Sequence, residues 1–204
     1  MRLPYLGGRE TSGVAGFNAA LDESVRLDVE TFLLNVADLY APNPDNNGSF
    51  QTIGYIVSTA NPRLISLFVD VSGYIEGAAH PYGYAYAFNY DLVENRQLDL
   101  ADVFAQGADY LPLLAEISVA QLAPELGDAF FSIGAEPRAE NYQNWNLGRD
   151  RLILRFNAYE VGPYAAGPQL VQIPYSRLEG ILRQDERLAA VRGEPRPGAP
   201  LRPN

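Results

Sequence analysis

The sequence predicts an α+β fold: mostly antiparallel sheet covered by a long N-terminal helix, with two further helices. Three observations predict it. Apolar residues recur at spacings of three and four early in the chain, then alternate with small or polar residues in several separate runs. The segments come in the order helix, three strands, helix, three strands, helix, which is the pattern of an α+β domain.

The first helix spans Phe17 to Tyr40. Phe17, Leu21, Val25, Val29, Phe32, Leu33, Val36 and Tyr40 mark its apolar stripe, with Asp22, Glu23, Asp28 and Glu30 between them. Pro42 to Gly48 reads as the loop that ends it. Three strands follow. Gln51, Ile53, Tyr55 and Val57 alternate in the first, and Asn61-Pro62 makes the turn into a second, Leu64 to Ile75, rich in branched and aromatic residues. In the third, Tyr82, Tyr84, Tyr86, Phe88 and Tyr90 take every second position and share one face. Such a face packs under a helix, and the long N-terminal one is the obvious cover.

Glu94 to Gln97 reads as a turn, and a second helix runs from about Asp109 to Leu122, with Asp109 as N-cap and Pro112 in the first turn. Three more strands are expected near Gln143–Leu147, Arg151–Phe156 and Leu170–Tyr175, with Gly148-Arg149-Asp150 closing a hairpin. Ser176-Arg177-Leu178-Glu179 matches a capping box and should open a short terminal helix through Leu182. From residue 184 the chain turns polar and then Pro-rich, and is expected to be a disordered tail, 184–204.

Composition excludes whole classes of function. A formal net charge of −10 makes nucleic acid and anionic membrane poor partners and a basic protein a good one. There is no cysteine, so no disulfide and no thiolate nucleophile. All fifteen basic residues are arginine, so no Schiff-base lysine or Walker-type phosphate loop exists. One histidine, His80, cannot build the multi-histidine metal sets. No metal, cofactor or catalytic residue is expected. No apolar run reaches the length of a membrane span, and no signal-peptide core follows Met1.

His80, flanked by Gly77, Ala78, Ala79 and Pro81, is read as a structural histidine hydrogen-bonded across its own turn. The row Tyr82 to Tyr90 is read as core rather than as a carbohydrate platform, with Tyr82, nearest the loop, as the exception. Asp99 and Asp102 are read as caps and turn residues rather than as paired acids. Tyr159 to Pro168 carries two tyrosines, glycines and two prolines in a constrained loop. Rigid aromatics at such a tip bind with little entropy loss. The other reading is a wide connection whose Pro and Gly merely turn the chain.

Several stretches, in this order, resemble a bacterial extracytoplasmic family, the domain of unknown function 3298 found in the anti-sigma factor RsiV. They are Glu76-Gly77-Ala78-Ala79-His80, Phe88-Asn89-Tyr90-Asp91-Leu92, Leu98 to Phe104, Phe156 to Gly167, and Ile173-Pro174-Tyr175-Ser176-Arg177-Leu178. The segment around Asn18 resembles the companion domain that precedes it. Residues 1–60 are then companion-like, 61–183 the RsiV-like domain and 184–204 the tail. Pro81 follows the histidine where the family commonly has glycine.

The resemblance implies a domain outside the cytoplasmic membrane, either secreted, periplasmic or cell-surface on its own or tethered to a membrane in a longer protein, that binds lysozyme without catalysis. It turns the loop reading toward function. Tyr159, Pro163 and Tyr164 become the anchor, Tyr82 a neighbouring contact, and Glu76 and Glu160 the acidic rim. The alternative is a cell-wall glycan-binding or peptidoglycan-processing accessory domain, with peptidoglycan as the partner.

Overall fold

The computed structural model describes residues 3–7, 10–40 and 48–192. In chain order the elements are α1 (Ser12–Tyr40), β1 (Phe50–Ala60), β2 (Leu64–Tyr74), β3 (Tyr82–Asp91), β4 (Arg96–Gln97), α2 (Leu111–Leu126), β5 (Trp145–Leu147), β6 (Arg151–Phe156), β7 (Gln169–Pro174) and α3 (Glu186–Arg192). They form two sheets, β1-β2-β3-β4 and β5-β6-β7, in which every strand pair is antiparallel. The α+β expectation holds. The loop expected at Pro42–Gly48 falls on residues 41–47 except for its last position, and those residues lie outside the described ones, as does the Pro-rich stretch 195–203.

Helix α1 begins five residues earlier than its apolar stripe. Gly13 and Gly16 explain this: a Cβ at Gly13 would strike the Leu92 carbonyl, and one at Gly16 the Tyr90 hydroxyl and the Asn95 side chain. The first turn packs by lacking side chains, a signal that hydrophobic spacing does not carry. Farther along, Phe17, Leu21 and Val25 are buried against Leu67, Val69, Val71, Phe88 and Tyr90. Each such side chain contributes roughly 1.5–3 kcal/mol. The Phe17 ring sits edge-on to Phe88 and Tyr90, at 5.6 and 5.9 Å. Cover fades toward the C-terminal half of the helix. Phe88 and Tyr90 are buried, whereas Tyr82, Tyr84 and Tyr86 are half-buried, and Leu33 and Leu34 of α1 are exposed. A groove opens there.

The second core gathers Leu114 and Leu122 of α2 with Leu152, Leu154, Phe156, Val171 and Ile173 of the small sheet. Buried polar groups fasten this half to the first. The Ser66 hydroxyl donates to Asn89 Oδ1 (2.5 Å) and accepts from Leu147 N–H (2.8 Å), and Asn89 Nδ2 donates to the Trp145 carbonyl (2.7 Å). The expected boundary at residue 60/61 falls at the tip of the β1–β2 hairpin, inside one continuous sheet.

Three local expectations are corrected. Tyr110, not Asp109, is the N-cap of α2, and the helix runs past Leu122 to end at Gly127, with φ +54°. The capping-box sequence does not open a helix through Leu182. Tyr175–Arg177 form one 3-10 turn, and Gly180, at φ +91°, takes the chain out of helical conformation. The tail expected to be disordered from residue 184 instead forms α3 up to Arg192, with Leu188 and Val191 buried in the second core. Its polar composition misleads because Arg187, almost fully buried, is neutralised by Asp91, Glu94 and Asp102 at 3.3, 3.0 and 3.6 Å. Among the described residues no helix is long and apolar enough to cross a membrane.

Candidate functional site

One side chain ties the start of the loop between β6 and β7 to the edge of β3. Strand β3 pairs with β4 only at Tyr90 and Asp91, so its outer edge upstream lacks a strand partner. Asn157, just past the end of β6, fills that edge. Its Oδ1 accepts the Ala85 N–H (2.8 Å) and its Nδ2 donates to the Ala85 carbonyl (3.0 Å), the two bonds a neighbouring strand would make. Asn144 does half the same at Ala87, accepting its N–H at 3.2 Å. The Glu160 carboxylate then fixes Asn157, accepting from its backbone N–H (2.7 Å) and from Nδ2 (3.3 Å).

Between Asn157 and Glu160 the chain doubles back. Tyr159 has φ +72°, a left-handed conformation that costs a bulky L-residue of order 1–3 kcal/mol, and its N–H donates to the Gly162 carbonyl (3.0 Å). Underneath, Phe131 N–H donates to the Val161 carbonyl (2.9 Å), and Gly134 leaves room for the Glu160 carbonyl. Val161 and Gly162 are buried while Tyr159 stays 57% exposed. The strain is borne by a rigid base and the ring is held out to solvent.

His80 lies at the meeting point. Its ring stacks on Tyr164, with centroids 4.1 Å apart and planes at 27°, and Tyr159 lies 5.8 Å from Tyr164. The Tyr159 hydroxyl is 3.3 Å from His80 Nε2, His80 Nδ1 is 2.7 Å from the Pro81 carbonyl, and the Tyr164 hydroxyl donates to that carbonyl (2.8 Å). His80 is therefore bonded at its own turn as the sequence predicts, and it also joins that turn to a loop some eighty residues away.

On its other side His80 borders the groove left by α1. This cavity, about 440 Å³, is lined by Asp28, Thr31, Phe32 and Asn35 of the helix, with Gln51, Ile75, Ala78, Tyr82 and Tyr84 opposite. Tyr84 donates to Asp28 Oδ1 at 2.8 Å. Burial raises the Tyr84 and Tyr86 hydroxyls well above the ordinary tyrosine range, and the Asp28 carboxylate raises them further. Both stay protonated at any physiological pH and face the carboxylate as neutral groups. Burial likewise raises Tyr82, against a hydrogen bond with Gln51 that lowers it.

Of the residues singled out in the sequence, Tyr159 and Tyr164 meet His80, Tyr82 lines the groove that His80 borders, and Pro163 is half-buried at the start of the 3-10 turn that carries Tyr164. Glu160 is a clamp as well as a surface charge. Glu76 is tied to the chain entering β1: its Oε2 accepts from Gly48 N–H (2.5 Å) and its own N–H donates to Ser49 Oγ (2.9 Å). Asp102 receives the Asp99 N–H (2.9 Å) and an Arg96 pair (2.7 Å). Sequence reasoning passed over Asn157 and Asp28. The second left a trace, since Asp28 falls three residues after Val25 and seven after Leu21, on the packed side of the helix. Among the described residues no group of three His, Asp or Glu stands close enough to hold a metal ion. A larger cleft of about 730 Å³, lined by Arg149, Asp150, Tyr175, Ser176 and Arg192 among others, opens at the opposite end of the β6–β7 pair and contains none of the expected site residues.

Comparison with known proteins follows this division. Over 171 residues the chain is 27% identical to the peptidoglycan-N-acetylmuramic acid deacetylase PdaC of Bacillus subtilis, an alignment covering 82% of this chain and 36% of PdaC. Over 110 residues it is 29% identical to the immunogenic protein MPT64 of Mycobacterium tuberculosis, covering 52% of this chain and 47% of MPT64. The chain thus spans less than half the length of either relative. Two solved structures share its fold. One is a DUF3298-family member from Bacteroides fragilis (TM-score 0.61, 22% identity, 92% of this chain and 75% of that one). The other is a DUF3298-family protein from Pseudomonas aeruginosa (TM-score 0.52, 20% identity, 68% and 63%). The family model described as a protein of unknown function, DUF3298, matches residues 101–176, which include α2, the small sheet and the whole Tyr159–Pro168 loop. This part of the chain is a DUF3298 domain.

Proposed function

We propose that the chain is a noncatalytic binding module that works outside the cytoplasmic membrane and takes a basic protein of the lysozyme kind on its Tyr159–Tyr164 loop. One observation carries the reading. Two tyrosines are held at the surface, 57% and 36% exposed, on a loop whose backbone is already fixed by Asn157, Glu160 and Val161. Aromatic anchors that are rigid before binding lose little entropy on docking. A net charge of −10 steers a basic protein toward the chain and speeds association at low salt. The resemblance to RsiV-like sensor domains points to the same partner.

The second reading is a module for cell-wall glycan, favoured by the relationship to PdaC, whose name places its action on peptidoglycan. Titration calorimetry against lysozymes and against soluble peptidoglycan fragments separates the two. Saturable binding of a lysozyme, weakened by about 2 kcal/mol in Tyr164→Ala, is the expected result. Binding of glycan fragments with no response to any lysozyme would replace the first reading by the second.

A further inference from the structure

The groove beside His80 combines three features that together specify a ligand. Its walls include the aromatic side chains Phe32, Tyr82 and Tyr84, together with His80. It contains a carboxylate, Asp28, whose hydrogen-bond donor is the neutral hydroxyl of Tyr84, and with which no arginine of the described residues forms an ion pair. Its described lining contains no arginine, in a chain that has no lysine. A carboxylate with no arginine partner among the described residues, set beside aromatic rings, is the chemistry that recognises an ammonium group, through direct attraction and through the negative faces of the rings. A volume of about 440 Å³ suits an extended side chain better than a whole folded element.

We propose that this groove is a binding site for a lysine side chain presented by the basic partner, inserted between α1 and the Tyr82–Tyr84 end of β3. The inference rests on the protein-binding reading given above and extends it. The loop supplies the aromatic anchor outside, the groove receives a cation next to it, and His80 forms part of both. The absence of lysine from the chain means that none of its own lysines competes for the site.

The sole histidine provides the readout. Nα-acetyl-lysine amide is titrated into the full chain while the His80 imidazole resonances are followed by NMR, with Nα-acetyl-norleucine amide and glucosamine as parallel arms. A saturable shift with the lysine amide is expected, absent with the neutral norleucine analogue and weakened about tenfold or more in Asp28→Asn. Asparagine can still accept from Tyr84, and a thermal melt checks that it folds. Phe32→Leu, which removes a ring and keeps the apolar bulk, should weaken binding several-fold and decides the matter if Asp28→Asn does not fold. Equal response to lysine and norleucine amides overturns the proposal, and so does a response to glucosamine alone, which would assign the groove to an amino sugar. The two readings fail separately. A lysozyme that binds parent and Asp28→Asn alike removes the groove from the interface and leaves the loop. A charge-dependent lysine-amide site in a chain that binds no lysozyme leaves the cation site and removes the partner.

Discussion

Replacing Asn157 by alanine should cost more than any surface asparagine would. The side chain makes two hydrogen bonds to Ala85, at 2.8 and 3.0 Å, each contributing about 1 kcal/mol net. Ala85 is 1% exposed, so its N–H is left without a donor's partner and water reaches it poorly, adding roughly 1–3 kcal/mol. The sum, about 3–4 kcal/mol after partial relaxation, is a large share of the 5–15 kcal/mol typical of a folded domain. Urea denaturation followed by circular dichroism measures it, and amide exchange of Ala85 gives the local counterpart, which should accelerate out of proportion to its strand neighbours. Asn157→Asp adds a sign test. It keeps the acceptor for Ala85 N–H but points a second acceptor at the Ala85 carbonyl and at Glu160, so its loss should shrink as acid protonates the carboxylate. If Asn157→Ala lies within about 0.5 kcal/mol of the parent, with Ala85 exchange unchanged, the clamp holds nothing and the loop is positioned from below by residues 131–134 instead.

Arg187→Met strips buried Asp91 of one of its two arginines; Arg63, at 3.5 Å, and the Val93 and Glu94 N–H groups remain, so the loss should be about 2–3 kcal/mol by denaturation, below the full cost of an orphaned charge. Asp102 is held down to about 2, chiefly by its hydrogen bond with Arg96. Its folded value lies below the unfolded value of about 4, so its contribution is complete above that pH and is lost as pH falls toward 2; Arg96→Met should flatten the acid limb of a stability–pH curve. Tyr159→Gly relieves a φ of +72° while deleting the exposed ring, so stability should hold or rise by up to about 1 kcal/mol as affinity for a lysozyme falls. A matched loss of both would mean that the ring is structural. Glu160→Gln keeps an acceptor for the Asn157 N–H but removes charge, and should slow association at low salt more than at high salt.

What the sequence revealed was whatever repeats along the chain. The strands from Leu64 onward and Arg151–Phe156 were legible because alternation reports directly on which face is buried. The start of α1 was not, because Gly13 and Gly16 pack through the absence of side chains. Nor was α3, whose burial depends on Arg187 meeting Asp91, Glu94 and Asp102 from segments about a hundred residues earlier. The site divides the same way. Tyr159 and Tyr164 stand out as aromatics in a Pro/Gly-rich loop, whereas the role of Asn157 depends on an unpaired edge of β3 that exists only once the two halves dock. Asp28 was visible as an acid on the packed side of a helix and was read as part of the solvated face. The groove beneath it is created by the helix lifting away from the sheet, a tertiary fact with no local signature.

The Asn157 clamp has a consequence for how this architecture tolerates change. A strand added to β3 would need many residues in register, and its connections would have a fixed reach. One amide that copies a single strand residue demands only that β6 end beside Ala85. The stretch between β4 and β5 must still seat Leu114 and Leu122 of α2 in the second core and Phe131 and Gly134 under the loop, but the connections on either side of α2 can change in length. Gly107 and Gly127 mark natural places for insertion: both have positive φ, and open space surrounds each. A reporter domain grafted at either point should leave the pairing of the His80 turn with the Tyr159 loop intact. The pairing of the His80 turn with the Tyr159 loop depends in that sense on a few local contacts, and not on the length of the connections that flank α2.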